Sequence, residues 1–281
     1  MAKIRHIFRL YALYVKMDLA WLFRDRTFAI LAILTDLISN LSSVMGVFLL
    51  AWRFDGIGGM GRFEVLFMLG YATIINGIYI SFGAFNTANI SRRIGRGQFE
   101  HMFIQPVSLP VQLVTGGFFP ITGGSNIISG AVVMIVVTTN IGIALPGVWW
   151  WVLSLVVNIF ISFAILMGVS YLASSLAFYA PVQAEEISSY VIDSFSHIST
   201  FPLSGMSAGL QASLITLIPV GLLAWFPTLA LFGNAPFNLP ALYPLLFAIV
   251  LWIIATYFFK KGLNFYVKKG INRYHPMGHR R

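Results

Sequence analysis

The chain has 281 residues, of which 58% are hydrophobic and 10% charged, with no cysteine and a net charge of +9. A soluble domain carries about 25% charged residues, so this composition excludes an ordinary soluble fold and indicates an integral membrane protein. The absence of cysteine excludes disulfides, thiolate metal sites and cysteine nucleophiles. Strand-like alternation is missing, which argues against a membrane β-barrel, and no polar linker separates two domains, so 1–281 reads as one unit. Sixteen of the eighteen Lys and Arg lie before residue 27, in 91–101 or after 259. That clustering is a positive-inside topology signal and not a nucleic-acid footprint; it also suits contact with anionic lipid headgroups.

In chain order, residues 3–24 interleave Ile4, Ile7, Phe8, Tyr11, Leu19 and Leu22 with Lys3, Arg5, Arg9 and Lys16. Helical spacing separates the two sets, and the segment reads as an amphipathic helix lying in the membrane interface. No short apolar run ends in a small-residue cleavage site, so no cleavable signal peptide is expected. The first span is expected at about 27–52, long enough to cross a core of about 30 Å. It carries Asp36 and Asn40, an ionisable group and an amide that should face protein or water and not lipid. Residues 53–62 are Gly-rich and suit an outer loop, and the second span follows at about 63–89.

The segment 91–113 (SRRIGRGQFEHMFIQPVSLPVQL) is the most polar stretch in the chain interior. Its three arginines place it in the cytoplasm. Arg92, Arg93 and Arg96 serve either as topology signals on a solvated loop or as contacts for a partner's carboxylates and for lipid phosphates. The third span, about 116–145, opens on Gly116, Gly117, Pro120, Gly123 and Gly124, which weaken a helix and predict a kink or an irregular start. Pro146 and Gly147 make a turn. Trp149, Trp150 and Trp151 then mark the outer interface, and a fourth span at about 149–178 ends before Pro181.

Residues 182–201 are less apolar. Glu185, Ser189, Asp193, Ser196 and Thr200 step by three or four and share a helical face. Two readings satisfy the charges: a cytoplasmic amphipathic loop with the fifth span at 206–232, or a polar fifth span at 183–202 followed by an outer re-entrant hairpin at 202–232, broken at Pro219 and Pro227. Asp193 and His197, four apart, can pair on one helix face. They form either a mutually satisfied structural pair or a contact in a translocation path. Asp36 with Asn40 suits a hydrogen bond across a helix interface. The last span, about 242–259, leads into a basic tail at 260–281 that belongs in the cytoplasm with the N-terminus; His275 and His279 there read as solvated. Neither a metal site nor a catalytic set is expected. The chain has no GxxxxGK[ST] and no HExxH or GxSxG; if it is a transporter, its energy must come from an ion gradient or a separate ATPase.

The ordered combination of these features resembles the permease subunit of ABC-2 type ABC exporters. The loop is similar to that family's pattern through Gly97, Phe99, Glu100, Phe103 and Pro106, and the tail through Tyr266, Gly270 and Tyr274. The resemblance implies an all-α integral membrane fold with six transmembrane helices, an N-terminal interfacial helix and a re-entrant outer hairpin before the last span. It implies a bacterial plasma-membrane half-transporter with both termini cytoplasmic, which pairs with an identical or related permease and docks a cytoplasmic ATPase that binds ATP and Mg. The chain itself would bind no cofactor and would not be an enzyme. The docking coupling helix would lie at about 97–109, with Arg96, Gly97, Phe99, Glu100, His101, Phe103 and Pro106 as its residues. Asp36, Asn40, Ser189, Asp193 and His197 would line the translocation path. The competing expectation is an ion-gradient-driven secondary transporter coupled through Asp36, Asp193 and His197.

Overall fold

The computed structural model describes residues 2–83, 87–107, 109, 112–113, 120–141, 148–240 and 242–269. The expected tail residues Arg273, Tyr274, His275, His279, Arg280 and Arg281, and the Pro146–Gly147 turn, lie outside the described residues, as do the side chains of Asp36, Asn40, Glu185 and Glu186. The fold is all-α. Its helices are α1 (Ala2–Arg24), α2 (Arg26–Arg53), α3 (Arg62–Phe82), α4 (Ile90–Gly95), α5 (Glu100–Phe103), α6 (Pro120–Ile141), α7 (Val148–Ser174), α8 (Pro181–Ile198), α9 (Ala208–Thr216), α10 (Trp225–Leu231) and α11 (Tyr243–Lys269). A short antiparallel hairpin, β1 (Gly56–Ile57) with β2 (Met60–Gly61), joins α2 to α3. Among the described residues four helices are long and apolar enough to cross a membrane: 62–82, 123–140, 148–178 and 243–269.

The body has two ends, one marked by the β1–β2 hairpin and the other by the 91–113 loop. At its centre α3 and α6 lie backbone to backbone. A Cβ on Gly77 would come within 2.8 Å of the Gly123 carbonyl oxygen, and one on Gly70 within 2.9 Å of the Gly130 carbonyl oxygen. Two glycine pairs, seven residues apart on each helix, thus let antiparallel helices touch without side chains between them. The glycines at 123 and 124, expected to weaken the helix, are regular helix; Gly123 is a contact surface. The helix is described from Pro120 on, and the irregular start expected at Gly116 and Gly117 lies outside the described residues.

A ladder of buried hydroxyls ties α3 to α7. Tyr71 Oη lies 3.0 Å from Ser162 Oγ, Tyr79 Oη 2.8 Å from Ser170 Oγ, and Thr87 Oγ1 2.7 Å from the same Ser170 Oγ. In an apolar body such groups must find partners inside the protein.

The region 181–240 joins the two ends. α8 starts beside Phe178 at the loop end, and packs on α4 and α7. It finishes next to a 3₁₀ turn at 203–205 whose backbone lies so close to Gly58 that any Cβ there would overlap the Gly205 nitrogen. Gly58 also sits at φ +62°, a conformation suited to glycine. From there the chain turns inward. Ser162 Oγ donates to the Leu222 carbonyl at 3.3 Å, and then Trp151 Nε1 donates to the Leu231 carbonyl at 3.2 Å. Ser162 lies eleven residues along α7 from Trp151, about 16 Å at the helical rise. The 206–232 segment therefore dips into the body and returns to its hairpin end, where Phe232 packs edge-on against Phe67.

Candidate functional site

The 91–113 loop is shaped by a helix stop. α4 ends with Gly97 at φ +69°. The Gly97 N–H donates to the Ile94 carbonyl at 2.9 Å, and the Gln98 N–H to the Arg93 carbonyl at 2.8 Å. These are the two bonds of a Schellman cap, in which a left-handed glycine lets the chain reverse. The reversal drives Phe99 inward. Its ring is 0% exposed and meets Phe103, Phe178 and Tyr266 edge-on at centroid distances of 5.3, 5.7 and 5.7 Å. Ile90, Ile94, Met102 and Leu113 from the loop complete this core with Ala177, Phe178, Phe259 and Tyr266 from the ends of α7 and α11.

Two polar contacts fix the loop from beneath. Tyr266 Oη donates to Glu100 Oε1 at 2.7 Å. The Gln112 amide donates to the Met102 carbonyl at 2.8 Å and to the Val107 carbonyl at 2.6 Å, tying Gln112 to α5 and to the residues that follow it. Gly262 makes this junction possible, because a Cβ there would press on Phe178 and on the Ser175 carbonyl. The core thus fastens the loop to the terminal turns of both α7 and α11.

The opposite face of the loop is open. Arg92, Arg96 and His101 are exposed. Phe103 is 45% and Ile104 79% exposed, and Pro106 lies beside them. An apolar patch flanked by cations, on a loop held rigidly from the other side, has the composition of a docking surface. The expected docking residues therefore divide. Arg96, His101, Phe103 and Pro106 face outward, Gly97 makes the turn, and Phe99 and Glu100 face inward. Ile104, Gln112 and the Glu100–Tyr266 bond escaped the sequence reading. The helical period could have found Ile104, which lies three residues from His101 on the face opposite Phe99 and Met102.

The N-terminal helix meets the same region. Tyr11 packs edge-on against Phe82 at 6.1 Å. Burial pushes the Tyr11 phenol above its ordinary pKa. Burial likewise pulls the Arg93 guanidinium below its usual value, opposed by the neighbouring Tyr14 of α1.

The expected path residues are placed differently. Asp36 and Asn40 lie on α2, which packs mainly on α3 and α6, whereas Ser189, Asp193 and His197 lie on α8. Ser189 is half-buried; Asp193 and His197 are exposed and, among the described residues, form no ion pair with each other. The mutually satisfied Asp193–His197 pair allowed by their spacing is not formed. α8 instead turns Ile192 and Phe195 into the core, donates from Ser196 Oγ to Asn76 Oδ1 at 3.3 Å, and presents Tyr190, Asp193, Ser194 and His197 outward as one stripe.

A mainly helical body with four helices long and apolar enough to cross a membrane, an exposed stripe on one further helix and a rigid loop at one end has the frame of a polytopic membrane protein. The chain belongs to the ABC-2 family transporter proteins, whose family model matches residues 37–270. It is a membrane transport permease, of a family that generally works with ATPase subunits. No curated protein and no solved structure gives a significant match.

Proposed function

We propose that the chain is the membrane-spanning permease subunit of an ATP-driven exporter and that a separate cytoplasmic ATPase docks on the 96–106 face. The observation that carries this reading is the two-sided loop: Phe99 and Glu100 are locked to α7 and α11, while Arg96, His101, Phe103, Ile104 and Pro106 are presented outward. ATP and Mg bind on the partner, and this chain hydrolyses nothing itself. Closure of the ATPase pushes on the loop. The push reaches α11 through Glu100 and Tyr266, α7 through Phe178, and the α3–α6 pair through the loop's own ends. Tight glycine contacts make that pair a single lever.

In this reading the loop end is cytoplasmic, as its cations favour, and α2 and α8 join the four long apolar helices to give six spans. α2 has 28 residues, about 42 Å at helical rise, enough to cross. What supports α8 as a span is that it runs from the loop end to the hairpin end. The 202–232 segment is then the re-entrant outer hairpin, and its irregular turn at 219–224 is buried in protein, the condition under which such backbone is tolerated at that depth. α1 lies along the cytoplasmic interface, with Phe8, Leu13, Met17 and Phe23 turned outward to lipid.

An outward stripe carrying Asp193 and His197 cannot rest against hydrocarbon. A second permease copy or a related chain faces it, and the space between the two is the export path, which Ser189, Asp193 and His197 line; Asp36 and Asn40 on α2 complete that path from the first span. The ion-gradient alternative needs Asp36, Asp193 and His197 on one relay, and the separate packing of α2 and α8 gives it no support within one chain.

The test is affinity purification of the tagged chain from its native membrane in mild detergent, followed by mass spectrometry. A stoichiometric soluble ATPase and a second six-span chain are expected. A lone protein, stable and transport-competent without an ATPase, would contradict the reading.

A further inference from the structure

Outside the loop and the polar stripe, a groove of about 770 Å³ lies between α7 and α11. Ala164 on α7 and Ala248 on α11 leave the gap, and Ile249, Trp252, Ile253 and Thr256 wall it. Its surface is almost wholly apolar until its end, where Tyr257 and Lys260 stand. The wall is rigid: Trp252 Nε1 donates to the Ala164 carbonyl at 2.9 Å, and the indole leans on the Tyr171 ring at 5.5 Å. Lys260 is exposed, forms no ion pair among the described residues, and adjoins Lys261.

We propose that this groove binds an anionic phospholipid, one acyl chain lying along α11 and the phosphate meeting Lys260. Three observations fix the occupant. The groove opens on the outer surface of helices that cross the membrane, so the molecule that reaches it is lipid. The cation stands at one end and not in the middle, which matches a molecule with a charged head and an apolar tail. The distance also fits: Ala248 lies twelve residues from Lys260, about 18 Å at helical rise, against about 15 Å for one leaflet of a bilayer core. The lysine comes from the loop end of α11, so the lipid belongs to the leaflet on that side. Calling that leaflet cytoplasmic rests on the orientation proposed above; the groove and its ligand do not. A lipid seated there would brace α11 against α7 two turns from Tyr266, and so would stiffen the helix that carries the docking loop.

The test uses the full chain reconstituted in vesicles of equal phosphatidylglycerol and phosphatidylcholine, extracted into mild detergent and weighed by native mass spectrometry. The wild-type chain should retain phosphatidylglycerol over phosphatidylcholine by about five-fold, the value of one cation near an anionic headgroup. Lys260→Gln should bring the two lipids to parity. Thr256→Phe, which fills the half-buried wall without touching the core, should lower retention of both. Lys269→Gln, whose ammonium lies over the Phe265 ring, should keep the five-fold preference. Parity in the wild-type chain, an unchanged preference in Lys260→Gln, full retention in Thr256→Phe, or parity in Lys269→Gln would each overturn the site. ATPase recovery from the native membrane is a separate readout. Loss of the lipid preference with the ATPase retained rejects only the groove; the reverse rejects only the docking reading.

Discussion

Glu100 and Asp193 are both carboxylates in polar stretches of an apolar chain, and by composition they read alike. The fold treats them in opposite ways. Glu100 points into the body and is held by Tyr266, a partner 166 residues away in sequence. Asp193 points out of it, on a helix whose other face supplies Ile192 and Phe195 to the core. The difference separates two tasks. Around residue 100, polar and aromatic groups are spent on internal contacts, and in the function proposed above the loop so held offers its mainly apolar outer face to a soluble partner. Around residue 193, polar groups are left for whatever lies against the outside of the helix. Substitutions in the first region should therefore cost stability and docking together, and those in the second should cost transport alone.

That contrast can be broken at several points, taken from the largest expected effect. Phe99→Ala empties the centre of the aromatic cluster, and buried Phe-to-Ala changes cost about 3–5 kcal/mol. Thermal unfolding in detergent should show a large fall in midpoint, with ATPase recovery lost in the same preparation. Tyr266→Phe keeps the ring packing and removes one hydrogen bond to a carboxylate, a loss of about 1.5–3 kcal/mol. It should lower the midpoint less, and Glu100→Gln, which can still accept the bond, should recover most of the stability. Gly97→Ala forces a Cβ into the left-handed turn that caps α4 and should cost about 1–2 kcal/mol. Limited proteolysis across 96–107 would report it as faster cleavage. Asp193→Asn should change stability by less than about 0.5 kcal/mol, as for surface positions, and leave ATPase recovery intact while transport falls. If Asp193→Asn instead destabilises the isolated chain as much as Tyr266→Phe does, the two regions do not differ as described.

Much of this was legible in the sequence because it depends on local pattern. The amphipathic spacing of 3–24 gives α1, and Pro181 marks the start of α8. The Gly97–Phe99–Glu100 run locates the loop. What escaped depends on partners distant along the chain. Gly123 reads as a weak point in a helix until Gly77 is placed against it. Glu100 reads as an outward docking residue until Tyr266 reaches it. Asp193 and His197 have the spacing of a pair, but spacing permits a contact and does not require one; α8 leaves both exposed. Ile104 looked like one more apolar residue in an apolar chain, and only the inward direction of Phe99 and Met102 shows that it faces out.

The central claim is that the outward face of the loop meets a soluble ATPase. The chain contains no cysteine, so a single thiol can be placed without removing others. Ile104→Cys and, as the comparison at the opposite end of α7, Trp150→Cys would be treated in native membranes with a short thiol-to-amine cross-linker. Docking through this face predicts one cross-linked product from Ile104→Cys, containing a soluble ATPase, and none with that partner from Trp150→Cys. An equal yield of the ATPase product from both positions, or none from Ile104→Cys while the ATPase still co-purifies, would contradict it.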